Sequence, residues 1–125
     1  MIILDTTVKK IEILLAGAVA ANQLPVTTHF VDVAEPDYYR PNSYDTASNS
    51  TTAVPIVYAP GTDVRRQVKL ITIYNADTAQ ATVTVRLVNN ATNRIIVKID
   101  LQPASTLIYT DGEGFRVIDT LGQIQ

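Results

Sequence analysis

From residue 51 onward, apolar and polar positions alternate in short runs separated by turn residues, which is the periodicity of strands. Val54-Pro55-Ile56-Val57-Tyr58 leads into the turn Pro60-Gly61-Thr62-Asp63, and a longer run follows from Val68 to Tyr74. In that run Val68, Leu70, Thr72 and Tyr74 share one face, and Lys69, Ile71 and Ile73 share the other. Both faces carry apolar side chains, which predicts a strand buried within a sandwich. After the turn Asn75-Ala76-Asp77-Thr78, the run Ala81 to Val88 sets Val83, Val85 and Leu87 against Thr82, Thr84, Arg86 and Val88. One face of that strand is predicted to be buried and the other mostly wet. Asn89 to Asn93 is a turn, and Ile95 to Leu101 resumes with Val97, Ile99 and Leu101 on one face. Pro103-Ala104-Ser105 closes that strand and Thr106 to Thr110 opens another. Asp111-Gly112-Glu113-Gly114 then returns the chain into Phe115 to Asp119.

The first half of the chain is less regular. Val8, Ile11, Leu15 and Ala18 fit helical spacing, while Ile11, Ile13 and Leu15 fit a strand. The pattern favours a strand through about Ala16, a loop from Gly17 to Leu24, and a strand from Val26 to Val33, where Thr27, Thr28, Phe30 and Val31 are β-prone. From Ala34 to Ser50 the aliphatic residues nearly vanish, although three of the six tyrosines lie there. Residues 34–50 are therefore predicted to form a long Tyr-rich loop or arm, of a length usually kept for function. Short strands, regular turns and no convincing helix predict an all-β protein, an antiparallel β-sandwich or jelly roll, with residues 1–125 in a single domain.

Composition narrows the chemistry. The chain has 125 residues, with ten basic and twelve acidic side chains and a net charge of -2. Nucleic-acid binding, which needs a cationic surplus, is not expected. There is no cysteine, hence no disulfide or thiolate chemistry, and His29 is the one histidine. The apolar stretch from Ile11 to Ala21 is broken by Glu12 and Gly17, too short for a membrane span. Glu12, and the acidic Asp5 ahead of Lys9 and Lys10, also argue against a secretory signal, so synthesis in the cytoplasm is expected. No nucleophile, base or metal motif is present, so the chain is read as a non-enzyme without cofactor or metal.

Tyr38, Tyr39 and Tyr44, with Arg40 and Asn42 among them, have the composition of a contact surface: rigid aromatic area with polar groups to set orientation. A carbohydrate platform is the weaker version, since the chain has no tryptophan. The turn Asp111-Gly112-Glu113-Gly114 offers carboxylates to a cation but lacks the alternating ligands of a calcium loop, and reads better as a hairpin. His29 reads as an ordinary strand residue unless folding gathers Ser43, Ser48, Ser50 or Ser105 around it. Arg65, Arg66 and Lys69 read as a solvated or aggregation-blocking face. Asn49-Ser50-Thr51 and Asn90-Ala91-Thr92 match the glycosylation pattern, which carries little weight without a secretory signal.

The runs Thr51 to Val54, Arg66 to Ala79 and Ala81 to Val85, the ending Asp111 to Asp119, and the opening Lys10 to Ala18 together resemble small β-sandwich structural proteins of tailed bacteriophages, both capsid decoration (cement) proteins and head or tail fibre modules. The resemblance implies a virion component made in the host cytoplasm. It implies a cement role, in which copies of the chain, often trimers, bind the major capsid protein or another virion protein and clamp neighbouring subunits. The alternative it leaves is a fibre or receptor-binding module that grips a cell-surface glycan through residues 34–50. Met1, Ile2, Ile3 and Leu4 are apolar and β-prone, which suggests backbone pairing with the sheet edge of a partner. Deleting Met1 to Leu4 is then expected to lower occupancy on the particle in a sedimentation assay, and undiminished occupancy would count against that pairing.

Overall fold

Short apolar runs punctuated by turns become ten strands in the computed structural model, which describes residues 1–125. They are β1 (Ile2–Leu4), β2 (Lys9–Leu15), β3 (Pro25–Ala34), β4 (Tyr38–Ala47), β5 (Val54–Val57), β6 (Arg65–Tyr74), β7 (Ala81–Asn89), β8 (Thr92–Leu101), β9 (Thr106–Thr110) and β10 (Gly114–Ile118). Every pairing is antiparallel. One sheet runs β10-β9-β6-β3-β4, with β1 added beside β6, and the other runs β5-β2-β7-β8. This is the antiparallel β-sandwich that the alternation predicts, and the helical option for Val8 to Ala21 gives way to β2.

The core lies between the sheets. Ile11, Ile13, Leu15, Val83 and Val85 come from the smaller sheet, and Val26, Phe30, Val68, Ile71, Ile73, Leu107 and Tyr109 from the larger. Each such side chain removed from water contributes about 1.5–3 kcal/mol. Buried Asn75 joins two corners by donating from Nδ2 to the Leu101 carbonyl (2.7 Å) and accepting at Oδ1 from the Asp77 N–H (2.9 Å).

The doubly apolar pattern of β6 has a cause other than burial on both faces. His29 pairs with Leu70 and Phe30 with Val68, so Lys69 has no opposite residue and forms a bulge. The bulge shifts the side-chain phase. Val68 before it and Ile71 and Ile73 after it all reach the core, while Leu70 and Thr72 lie half-exposed outside. β6 is thus buried on one face, and β8 at the edge of the other sheet shows the same device, with Ile96 extra between Val97 and Ile95.

Two further expectations are corrected. Residues 34–50 are no loop: a turn through Glu35 and Pro36 links β3 to β4, which pairs with β3 at ten successive positions from Ala34↔Tyr38 to Pro25↔Ala47. β4 is an edge strand exposed on both faces over its first half, so backbone pairing holds it and no hydrophobic alternation marks it in the sequence. Likewise, Met1 to Leu4 is no free arm. β1 pairs with Arg66 to Val68 of its own sheet, in the part of β6 that β9 leaves open, and Leu4 is fully buried.

Inserting an alanine between Val68 and Lys69 puts the alanine in the core position of Val68 and turns Val68 outward, with an expected loss of about 1.5–3 kcal/mol. Lys69→Ala keeps the register, loses only the partly exposed pair with Asp111 (3.0 Å), and is expected to cost under about 1 kcal/mol. Urea unfolding midpoints of the two variants check this contrast.

Candidate functional site

The β3–β4 hairpin is the element that offers most to a partner. From Tyr38 to Ser43 every residue of β4 is exposed, whichever face it takes, so nothing of the second sheet lies beneath this half of the strand. Its backbone ladder to β3 holds it, and β3 is in turn tied to β6 by a clamp on the inward side. Arg66 Nε and Nη2 donate to both carboxylate oxygens of Asp32 (2.7 and 3.0 Å), and Nη1 donates to the Tyr58 carbonyl (2.8 Å). The guanidinium also stacks 4.3 Å from the centre of the Phe30 ring. A two-pronged Arg–carboxylate pair with an aromatic face beneath it fixes direction as well as distance. The ribbon is therefore braced through β3 close to its turn, two pairs from Ala34↔Tyr38.

Leu4, Arg66, Asp32 and Arg40 form one row across β1, β6, β3 and β4. At about 4.8 Å per strand, the N-terminal strand and the hairpin lie roughly 14 Å apart at the same end of one sheet. The residues expected to make partner contacts thus divide by position. Tyr38, Tyr39, Arg40 and Asn42 are exposed on the ribbon, and Arg40 lies 5.0 Å over the Tyr38 ring. Tyr44 turns back onto the core and meets Tyr58 edge-on, with centroids 5.4 Å apart. Met1 and Ile3 are exposed, whereas Ile2 packs on the core and Leu4 belongs to it. Between the two groups lies an open groove of about 550 Å³ lined by Asp5, Val33, Ala34, Glu35, Asp63, Val64 and Arg65. Lys9, 2.7 Å from Asp5, holds that carboxyl below its usual range.

Other candidates are dispersed by folding. Arg66 is used in the clamp, Lys69 bonds Asp111 across the bulge, and Arg65 reaches the groove, so the three cations form no patch. The Asp111 to Gly114 segment is a β9–β10 hairpin turn in which Glu113 pairs with Arg116 (2.7 Å). His29 is exposed on the outer face with Ser43 as its opposite residue, while the Ser43 N–H is taken by Asn42 Oδ1 (2.8 Å). No three His, Asp or Glu side chains gather in a metal-holding group.

Sequence reasoning missed the clamp and also a latch at the opposite end of the sandwich. Asp77, in an apparent turn, accepts N–H bonds from Ala20 (2.8 Å), Ala21 (2.7 Å), Asn22 (3.1 Å) and Thr78 (2.9 Å). Gln23 adds to it, its Oε1 accepting from Ser48 Oγ (2.8 Å) and the Ser50 N–H (3.0 Å). The loop between β2 and β3 is therefore ordered by side chains more than 20 residues away in sequence. No local pattern marks such a contact.

No family model, curated protein or solved structure matches the chain. Its class rests on the fold itself: an antiparallel β-sandwich bearing one braced, aromatic ribbon.

The N–H of Ala20 foremost, then those of Ala21, Asn22 and Thr78, hold the Asp77 carboxyl at about 2 against the opposing effect of burial, compared with 3.8 in the unfolded chain. Because the folded value is the lower one, the stabilisation is complete above about pH 4 and is lost as pH falls towards 2. Asp77→Asn is expected to lower the melting temperature at pH 7 and to flatten its decline between pH 4 and 2, as read by thermal denaturation across that range.

Proposed function

We propose that the chain is a structural protein of a tailed-bacteriophage virion, a capsid decoration (cement) protein that binds the major capsid protein and stabilises the head. Made in the host cytoplasm, it assembles onto the particle as copies of itself and carries out no catalytic step. The observation that carries this reading is the half of β4 that is exposed on both faces yet paired along its length to β3, which the Arg66–Asp32 clamp ties to β6. A ribbon held straight before contact loses little conformational freedom when it inserts between capsid subunits, and tyrosines supply contact area at low rotamer cost. The sequence resemblance points the same way. The two-sheet core behind the ribbon suits a clamp, which must resist deformation.

The same tyrosines favour a second reading, a fibre or receptor-binding module that stacks a cell-surface glycan against Tyr38 and Tyr39, the latter 66% exposed. Mixing the purified protein with undecorated tailed-phage heads and, separately, with host cells divides the two. Cement function predicts saturable head occupancy at a fixed ratio. It also predicts that the double variant Tyr38→Ala with Tyr39→Ala binds heads about tenfold or more weakly at nearly unchanged folding stability. Cell binding that free sugar displaces, with bare heads left bare, would establish the fibre reading instead.

A further inference from the structure

Each open sheet presents edges that can pair with another chain, and most of those here are closed. On β4, Pro41 has no N–H and the Ser43 N–H is taken by Asn42 Oδ1 (2.8 Å). These two belong to the same alternate set along the strand, so the middle of that edge has lost its donors. On β10 the C-terminal residues fold back, with the Gln125 N–H bonded to the Val117 carbonyl (2.9 Å) and Ile118 bridged to Ile124. β5 spans four residues including Pro55, and β1 spans three. β8 differs from all of these. It is ten residues long, contains neither proline nor glycine, and leaves Ile95 64% exposed.

The pairing of β8 with β7 shows which groups face outward. Thr82 turns its carbonyl to the Ala16 N–H (3.1 Å), away from β8, and Thr82 is the register partner of Asp100. In an antiparallel ladder such a pair exchanges no bonds, so Asp100 and, two residues back, Lys98 direct their N–H and C=O groups to the open edge. Their side chains lie on the outer face, where Asp100 accepts a bond from Thr82 Oγ1 (2.6 Å). Lys98 takes part in none of the ion pairs within the chain. Val97, Ile99 and Leu101 point the other way, into the core side, and the first two are only half-buried.

We infer that β8 is a self-association edge whose occupant is β8 of a second copy, paired antiparallel about a two-fold axis through Ile99. That axis sets Lys98 opposite Asp100 of the partner subunit, and Asp100 opposite Lys98 of the partner subunit. Each of these pairs has its backbone groups free to exchange two hydrogen bonds. Opposite charges therefore meet twice on the outer face. On the core side the apolar row continues from one sandwich into the next, with Val97 beside Leu101 of the partner subunit. The paired segment, Val97 to Leu101, lies clear of the Ile96 bulge, which would disturb any register centred nearer the start of the strand. The symmetry is that of a dimer, independent of the function proposed above and different from the trimer that the sequence resemblance implies. So short an interface falls below the standard size, and a dissociation constant between about 10 μM and 1 mM is expected.

Sedimentation equilibrium up to about 1 mM tests the pairing by charge exchange. The native chain is expected to approach twice 13.6 kDa. Lys98→Asp alone, and Asp100→Lys alone, should each weaken association about tenfold, and the two together should restore it to within about threefold of native. Hydrogen exchange on the native chain gives a second reading that needs no variant: the amides of Lys98 and Asp100 should become protected as concentration rises. A monomer throughout, a trimer, association unmoved by the single substitutions, or a double variant as weak as either single one would each overturn the inference. So would amides of Lys98 and Asp100 that exchange at one rate at every concentration.

Discussion

A strand facing a single opposing sheet can bury only one of its two sides, and β3 and β6, inner strands of the larger sheet, must keep that side directed at the smaller sheet. The bulge at Lys69 makes this possible for β6, because it brings Val68 and the Ile71–Ile73 pair onto one surface although their spacing in the chain would separate them. The consequences spread outward. Val68 anchors β1 through its pairing with Ile2, Ile71 and Ile73 line up with Tyr109 and Leu107 on β9, and Arg66 falls on the inward side where it meets Asp32. A slip of one residue would undo all three.

That same geometry joins the body to its exposed ribbon. Arg66 belongs to the buried sheet, and its guanidinium reaches past the end of the core to fix Asp32, Phe30 and the Tyr58 carbonyl. The exposed half of β4 has no core of its own and rests on its backbone pairing with the β3 segment that Arg66 fixes. At the other end, Asp77 does similar work for the loop between β2 and β3, and Gln23 for Ser50 between β4 and β5, where backbone N–H groups that no strand would satisfy find side-chain acceptors. Both ends of the sandwich are stiff for polar reasons, and the middle is stiff for apolar ones.

The treatment of the edges follows a consistent logic. An open sheet must restrict which of its edges can pair, and here proline, a side-chain cap, a folded-back terminus and short strand length each close one. The exposed tyrosines of β4 and the open edge of β8 are consequently on different sheets.

The sequence by itself determined the fold class and most strand positions, from Pro25–Ala34 through the β9–β10 hairpin, because inward-facing residues recur at every second position wherever one side is buried. By composition it also singled out Tyr38, Tyr39, Arg40 and Asn42, which the fold leaves exposed, as contact candidates. Only the tertiary structure decided that these residues sit on a strand, since an edge strand exposed on both faces carries no periodic signal. It alone decided that β6 has one buried side, that Met1 to Leu4 completes its own sheet, and that Arg66 and Asp77 are the two polar braces. Each of those outcomes depends on partners far away in the chain, and distance along the chain is what local pattern cannot measure.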